Sequence, residues 1–177
     1  SIDVDAVLIA DPGIFRLCRE VAPNLSIHVS TQANTTNWSA VRFWKECGAE
    51  RVVLAREVPL RDVKDIYEKT HMELEGFVHG AMCISYSGRC LLSNYFTREC
   101  VQCCRFKYSL VEEKRPGEYF PVMEDERGTY IMNSKDMCLI GQLPALYEAG
   151  LSSLKVEGRM KSLHYVATVI KTYREAM

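Results

Sequence analysis

Apolar residues fall in short unbroken blocks along the first half of the chain, and each block stops at polar or turn residues. "VDAVLIA" (4–10) ends at Asp11-Pro12-Gly13, "LSIHVS" covers 25–30, "RVVLA" covers 51–55 and "LEGFVHG" covers 74–80. Short continuous apolar runs suit strands covered on both faces, as in parallel sheets. Between them, apolar residues recur at helical spacing. "GIFRLCREV" comes first, then "NWSAVRFWKECGA", with Asn37 as N-cap and Gly48 past its end, then "PLRDVKDIYEKT", with Pro59 near its first turn. This alternation predicts right-handed βαβ units and a parallel sheet.

The rhythm breaks after Gly80. Residues 81–135 mix cysteines, aromatics and turn formers, and "EYFPVMEDERGTYIMNS" predicts a β-hairpin or small sheet with Glu126-Arg127-Gly128 near its turn. "LIGQLPALYEAG" then predicts a helix, "SLKVEG" (153–158) a strand, and "HYVATVIKTYREAM" a final helix. The expected fold is α/β: a partial TIM-type (β/α) barrel in one domain over 1–177, with a cysteine-rich insert at 81–138. The pattern supplies five barrel strands, whereas a closed barrel has eight. About three strands are therefore expected upstream of Ser1, and open sheet edges are expected to make the segment poorly soluble alone.

Bulk properties narrow the function. The 177 residues can bury a core, and a net charge of -1 gives no overall basic field, so contact with RNA requires a local patch. No apolar run approaches the roughly 20 residues of a membrane span, and no signal peptide is expected. A cytoplasmic protein without a membrane partner is expected. In that compartment eight cysteines point to a metal site or core thiols before disulfides.

Cys18 and Cys47 fall at apolar helix positions and read as core thiols. The other six cysteines lie between 83 and 138. Their wide spacing suits an iron–sulfur cluster held by separated loops, with a zinc site or unligated thiols as the alternatives. Side chains of adjacent residues rarely aim at one centre. A four-ligand site would thus combine Cys83, Cys90 and Cys138 with one of Cys100, Cys103 and Cys104.

In a β/α barrel the strand C-termini carry the chemistry. The polar residues there are His28, Gln32, Arg56, Glu57, His79, Glu157 and Arg159. Arg56 and Arg159 offer forked donors to an anion, or else salt bridges to Glu57 and Glu157. His28 and Gln32 suit a base or sugar edge, or a rim hydrogen bond. Glu157 is an acid–base candidate, or a holder of Arg159. Lys155 and "RMK" (159–161) form a small basic patch, and Tyr86, Tyr95 and Phe96 either stack on bases or pack in the core. The chain has no H-E-x-x-H and no G-x-S-x-G. A Cys83–His79 dyad is the one route to a nucleophilic protease, and a metal-bound Cys83 would close it.

"EGFVHGAMCISYSGRCLLS" (75–93) resembles the signature of the collagenase-like peptidase family U32, with Glu75, Phe77, Gly80, Ala81, Cys83, Gly88, Cys90 and Ser93 in place. "DAVLIADPG", "IHVSTQANTTNWSAVRFW", "RVVLAREV", "MNSKDMCLI" and "SLKVEGRMKS" are similar to further family blocks, so the resemblance covers nearly the whole chain. It implies one of two activities. The first is oxygen-independent hydroxylation of RNA, of the tRNA wobble-uridine type, with a four-iron four-sulfur cluster and prephenate as hydroxyl donor. The runner-up is collagenase-like proteolysis; a cluster that only staples the insert is the non-enzymatic option. The cluster ligands implied are Cys83, Cys90, Cys100 and Cys138, with Cys104, which precedes Arg105-Phe106, as the alternative to Cys100. One departure stands out: Thr97-Arg98-Glu99 runs straight into Cys100, where the family has a longer loop, and Cys103 replaces a more typical proline.

Overall fold

The computed structural model describes residues 4–83, 85–86, 90–96, 99–106, 109–121, 124–125, 128–129 and 136–177, with the side chains of 96, 110, 120–121, 124–125 and 128–129 left aside. Five parallel strands form the sheet in sequence order. They are β1 (Ala6–Ile9), β2 (Ser26–Val29), β3 (Arg51–Val53), β4 (Glu73–Gly80) and β10 (Leu151–Val156). The helices between them are α1 (Pro12–Val21), α2 (Trp38–Glu46) and α3 (Leu60–Thr70), and α6 (Leu163–Ala176) follows β10.

Side-chain caps start three of the helices, among them α2 at the expected Asn37. The Asp11 carboxylate accepts the Ile14 amide hydrogen bond, Asn37 accepts that of Ala40, and Ser162 accepts that of Tyr165, each satisfying an amide that the helix itself leaves unpaired. Pro59 precedes α3 as its cap residue. Gly48 takes φ +94 just beyond α2, the left-handed exit glycine allows.

The two faces of the sheet differ. On one, Ile27, Val29, Val52, Leu54, Leu74 and Val78 pack against Phe15, Val41, Trp44, Val63, Ile66 and Tyr173 from the helices. Each fully buried aliphatic side chain contributes about 1.5–3 kcal/mol of burial free energy. On the other face, Leu8, His28, Arg51 and Glu73 are successive cross-strand neighbours, as are Val53, Glu75 and Ser153. Glu75 is nearly buried there. It accepts hydrogen bonds from Lys155 Nζ (2.9 Å), Ser153 Oγ (2.8 Å) and Arg51 Nη1 (3.3 Å), and Arg51 also pairs with Glu73.

The insert between β4 and β10 is built of small pieces. α4 (Leu91–Phe96) is a six-residue helix that the sequence pattern had not suggested. β5 (Ser109–Leu110) pairs antiparallel with β6 (Phe120–Pro121), and β7 (Glu124–Asp125) with β8 (Gly128–Thr129). The second pair is the expected hairpin; Glu126 and Arg127 lie outside the described residues. β9 (Met137–Cys138) then joins the main sheet antiparallel to the end of β4, with Cys138 opposite His79 and Met137 opposite Gly80. A 3-10 turn (Ile140–Gln142) and α5 (Leu143–Glu148) lead into β10. Among the described residues no helix is long and apolar enough to cross a membrane.

Candidate functional site at the strand ends

Residues beyond the C-terminal ends of β2, β3, β4 and β10 carry most of the polar groups singled out from the sequence. After β2, the Ser30 side chain accepts from the Gln32 amide and opens a 3-10 turn (Thr31–Ala33), while Thr31 Oγ1 donates to Leu54 O across the strand ends. His28 lies one position before the end of β2, on the polar face. After β3, Arg56 lays its guanidinium over the Phe77 ring, 3.8 Å from its centroid. Burial lowers the Arg56 pKa, against the opposing charges of Cys83, Glu157, Glu57 and Cys100. Arg56 thus sits among two thiols and two carboxylates from four segments.

The β4–β10 junction is tight. Gly80 adopts φ +103, and a Cβ there would overlap the Glu157 carbonyl oxygen, so only glycine fits. The Glu157 amide donates to His79 O at 2.8 Å. Its carboxylate accepts from the Arg159 amide (3.0 Å) and from Gln102 Nε2 (3.0 Å), which ties the insert to the end of β10. Glu157 therefore holds the Arg159 backbone rather than pairing with its guanidinium, which lies on an exposed residue. Gln102 escaped sequence reasoning. Its signal is conformational, a non-glycine φ of +55 beside the cysteine trio, and nothing in residue type announces it.

The thiols gather unevenly. Burial raises the Cys83 pKa, the Arg56 charge opposes this, and the Cys90 and Cys100 charges add to it, so these three sulfurs are electrostatic neighbours. Cys90 stands immediately before α4. Burial pushes its thiol up, but hydrogen bonds from Ser85 and Ser93 hold it below the usual cysteine range, and the Ser93 amide lies 3.3 Å from Cys90 Sγ. Cys103 and Cys104 are buried in a 3-10 turn (Cys103–Arg105), where Cys103 Sγ meets Ser93 Oγ at 3.5 Å. Cys138 is exposed on β9. Soft thiolates from separate loops are the donor type for an iron–sulfur cluster, and Cys83, Cys90 and Cys100 are near enough for their charges to interact. Among the described residues no three His, Cys, Asp or Glu side chains are gathered closely enough to hold a metal ion.

Other expectations resolve differently. Tyr86 and Tyr95 are 59% and 84% exposed, so they do not pack in the core; the Phe96 side chain lies outside the description. The basic patch is largely neutralised, because Lys155 pairs with Glu75 and Lys161 with Asp136. Cys47 is exposed, and Cys18 is half-buried against the core. A Cys83–His79 nucleophile finds no support. His79 Nδ1 faces Tyr173 Oη at 3.4 Å, and its ring also neighbours Tyr165, while the Cys83 thiol is pushed up rather than activated.

A parallel α/β sheet whose strand ends meet a cysteine-bearing insert defines the class. Within that class, the chain belongs to peptidase family U32, whose sequence profile matches residues 1–177. It is 46% identical over 99% of its length to tRNA hydroxylation protein P1 of Bacillus subtilis, covering 43% of that protein. It is 39% identical over 98% of its length to tRNA hydroxylation protein P of Escherichia coli, covering 48%. It is 43% identical over its full length to an uncharacterised protease of Methanocaldococcus jannaschii, covering 44%. The chain thus spans about half the length of the curated relatives it matches.

Proposed function

We propose that the protein carries out iron–sulfur-dependent, oxygen-independent hydroxylation of RNA, of the tRNA wobble-uridine type, with a prephenate-like anion as donor. The observation carrying this reading is that Arg56 lies over Phe77 within reach of the charges of Cys83, Cys100 and Glu157, in a chain 46% identical to a tRNA hydroxylation protein. Cys83, Cys90, Cys100 and Cys138 hold a four-iron four-sulfur cluster, with Cys104 as the alternative to Cys100. The architecture behind it is a β/α barrel of which this chain supplies five parallel strands.

The bound cluster supplies one-electron chemistry or a Lewis-acidic iron for a substrate oxygen. The chain's own residues do the rest. Arg56, desolvated and braced on Phe77, binds a donor carboxylate by a two-pronged contact, stronger here than at a wet surface. Arg159, exposed beyond β10, takes a second anionic group. Glu157, fixed by Gln102 and the Arg159 amide, holds or moves a proton at its carboxylate. His28, Gln32 and Glu57 line the approach from β2 and β3, while His79 lies against Tyr165 and Tyr173 of α6. The exposed Tyr86 and Tyr95 offer rings on which unpaired bases stack.

Mass spectrometry of tRNA from a strain lacking the gene tests the reading. The full protein restores one added oxygen at the wobble uridine, and Cys83→Ala does not. Equal restoration by both proteins, or by neither, overturns it.

A further inference from the structure

β9 is only two residues long, yet it carries Cys138, and two clamps outside the implied ligand set hold it. The first is Tyr173 on α6. Its buried hydroxyl donates to Val78 O at 2.9 Å and accepts from the Leu139 amide at 3.2 Å, so one phenol ties β4 to the residue that follows Cys138. The Leu139 amide also reaches Val78 O at 2.9 Å, and Tyr173 Oη lies 3.4 Å from His79 Nδ1. The second clamp is Asp136. Its Oδ1 meets Arg105 Nη1 at 2.7 Å, beside the Cys103–Cys104 turn, and its Oδ2 accepts from Lys161 Nζ at 2.8 Å, in the loop after β10. All three partners are less than one-third exposed, so this ion pair is screened less than a surface one.

We propose that Tyr173 and Asp136 are positioning residues for Cys138, together fixing the β9 strand between β4, the Cys103–Arg105 turn and the loop after β10. The role rests on the cluster reading only for its purpose, since the clamp exists in the bare chain. Two hydrogen-bonded ladder positions do not hold so short a strand by themselves. The phenol and the carboxylate add anchors on either side of the cysteine. Both sit at 136 and 173, away from the 75–93 signature, and sequence spacing gives no hint that they meet.

The test uses Tyr173→Phe, which keeps the ring and removes the hydroxyl, Asp136→Asn, and Asp136→Glu as the conservative control, all in the full protein. In metal-free protein, hydrogen exchange of the 137–139 amides is expected to quicken about tenfold in Tyr173→Phe and Asp136→Asn. Exchange in β2 should stay unchanged, showing that the sheet remains folded. Alkylation of Cys138, measured against the exposed Cys47, is expected to change at least threefold, with partial recovery in Asp136→Glu. In iron-reconstituted protein reduced with dithionite the electron paramagnetic resonance line shape is expected to shift in both variants. Wild-type exchange and alkylation at β9 in the two variants, with β2 intact, would overturn the proposal. If β2 also loosens in one variant, the other decides. Wild-type protein that takes up no iron would sink the cluster reading alone, because exchange and alkylation still report the clamp.

Discussion

Arg56 and Glu75 show how single residues divide the work between site and scaffold. Glu75 lies amid Lys155, Ser153 and Arg51. Burial pushes its carboxyl up, but these hydrogen bonds and charges outweigh it and hold the pKa below the usual value. A folded-state pKa below the unfolded one contributes stability that is present above the unfolded value and lost as pH falls through the folded one. The urea midpoint is therefore expected to fall as pH drops below about 4.3, the ordinary glutamate value. Glu75→Gln should cost about 2 kcal/mol at pH 7 and flatten that acid limb. The cost is below the 3–5 kcal/mol of a fully buried pair because Arg51 and Lys155 reach solvent. An unchanged acid limb in the variant would refute the assignment. Arg56 is different, because its neighbours are thiols and carboxylates at the strand ends. Arg56→Lys keeps a charge but loses the fork and the fit to Phe77. The half-saturating donor concentration is expected to rise about tenfold or more while the cluster spectrum stays as in wild type; an unchanged value would remove Arg56 from donor binding.

At the scale of elements, the regular strands were legible and the irregular ones were not. The runs ending at Ile9, Val29 and Val53 are blocks of apolar residues closed by polar ones, so periodicity and turn signals locate them to within a residue or two. β10 begins at Leu151, two residues before the expected 153, because the Gly150 turn (φ +93) releases the chain into the sheet at once. β9 was invisible to such reading. Two residues have no period, and they form a strand because β4 runs past the end of β3 and leaves its edge open. α4 is too short for helical spacing to show. For the same reason the site was legible only in part. Residue type and strand-end position pick out Arg56, Glu157 and the cysteines, whereas Gln102, Asp136 and Tyr173 act through long-range contacts. The β4–β10 junction offers an element-level test. Gly80→Ala meets both a positive φ and the Glu157 carbonyl, so it is expected to cost at least about 2 kcal/mol in thermal or urea unfolding. A variant as stable as wild type would show that the junction yields.

For the whole molecule, the asymmetry of the sheet matters most. Leu8 on the polar face of β1 is half-exposed, and on α1, which covers the other face, Ile14, Leu17 and Val21 form an exposed apolar stripe. β1 and β10 are the two outer strands of the parallel set, and β1 pairs on one side only among the described residues. Such an edge invites association. The 177-residue chain by itself is expected to self-associate in sedimentation experiments, and Leu8→Lys with Leu17→Glu should shift it toward monomer. A monomer without these changes would mean that the edge is already protected. The parallel sheet carries Arg56, Cys83, Glu157 and the β9 strand at the C-terminal ends of its strands, and the proposed chemistry depends on that placement.

Cys83, Cys90, Cys138 and one of Cys100 and Cys104 are proposed to hold an iron–sulfur cluster. The most direct test is iron, acid-labile sulfide and the visible spectrum of the full protein purified without air, alongside Cys→Ala changes at 83, 90, 100, 104 and 138. About four irons and four sulfides per chain are expected, as for a [4Fe–4S] centre. They should be lost on changing Cys83, Cys90, Cys138 and one of Cys100 and Cys104, and kept on changing the other. Protein that binds no iron after anaerobic reconstitution, or that keeps its iron when Cys83 or Cys90 is replaced, would contradict the account.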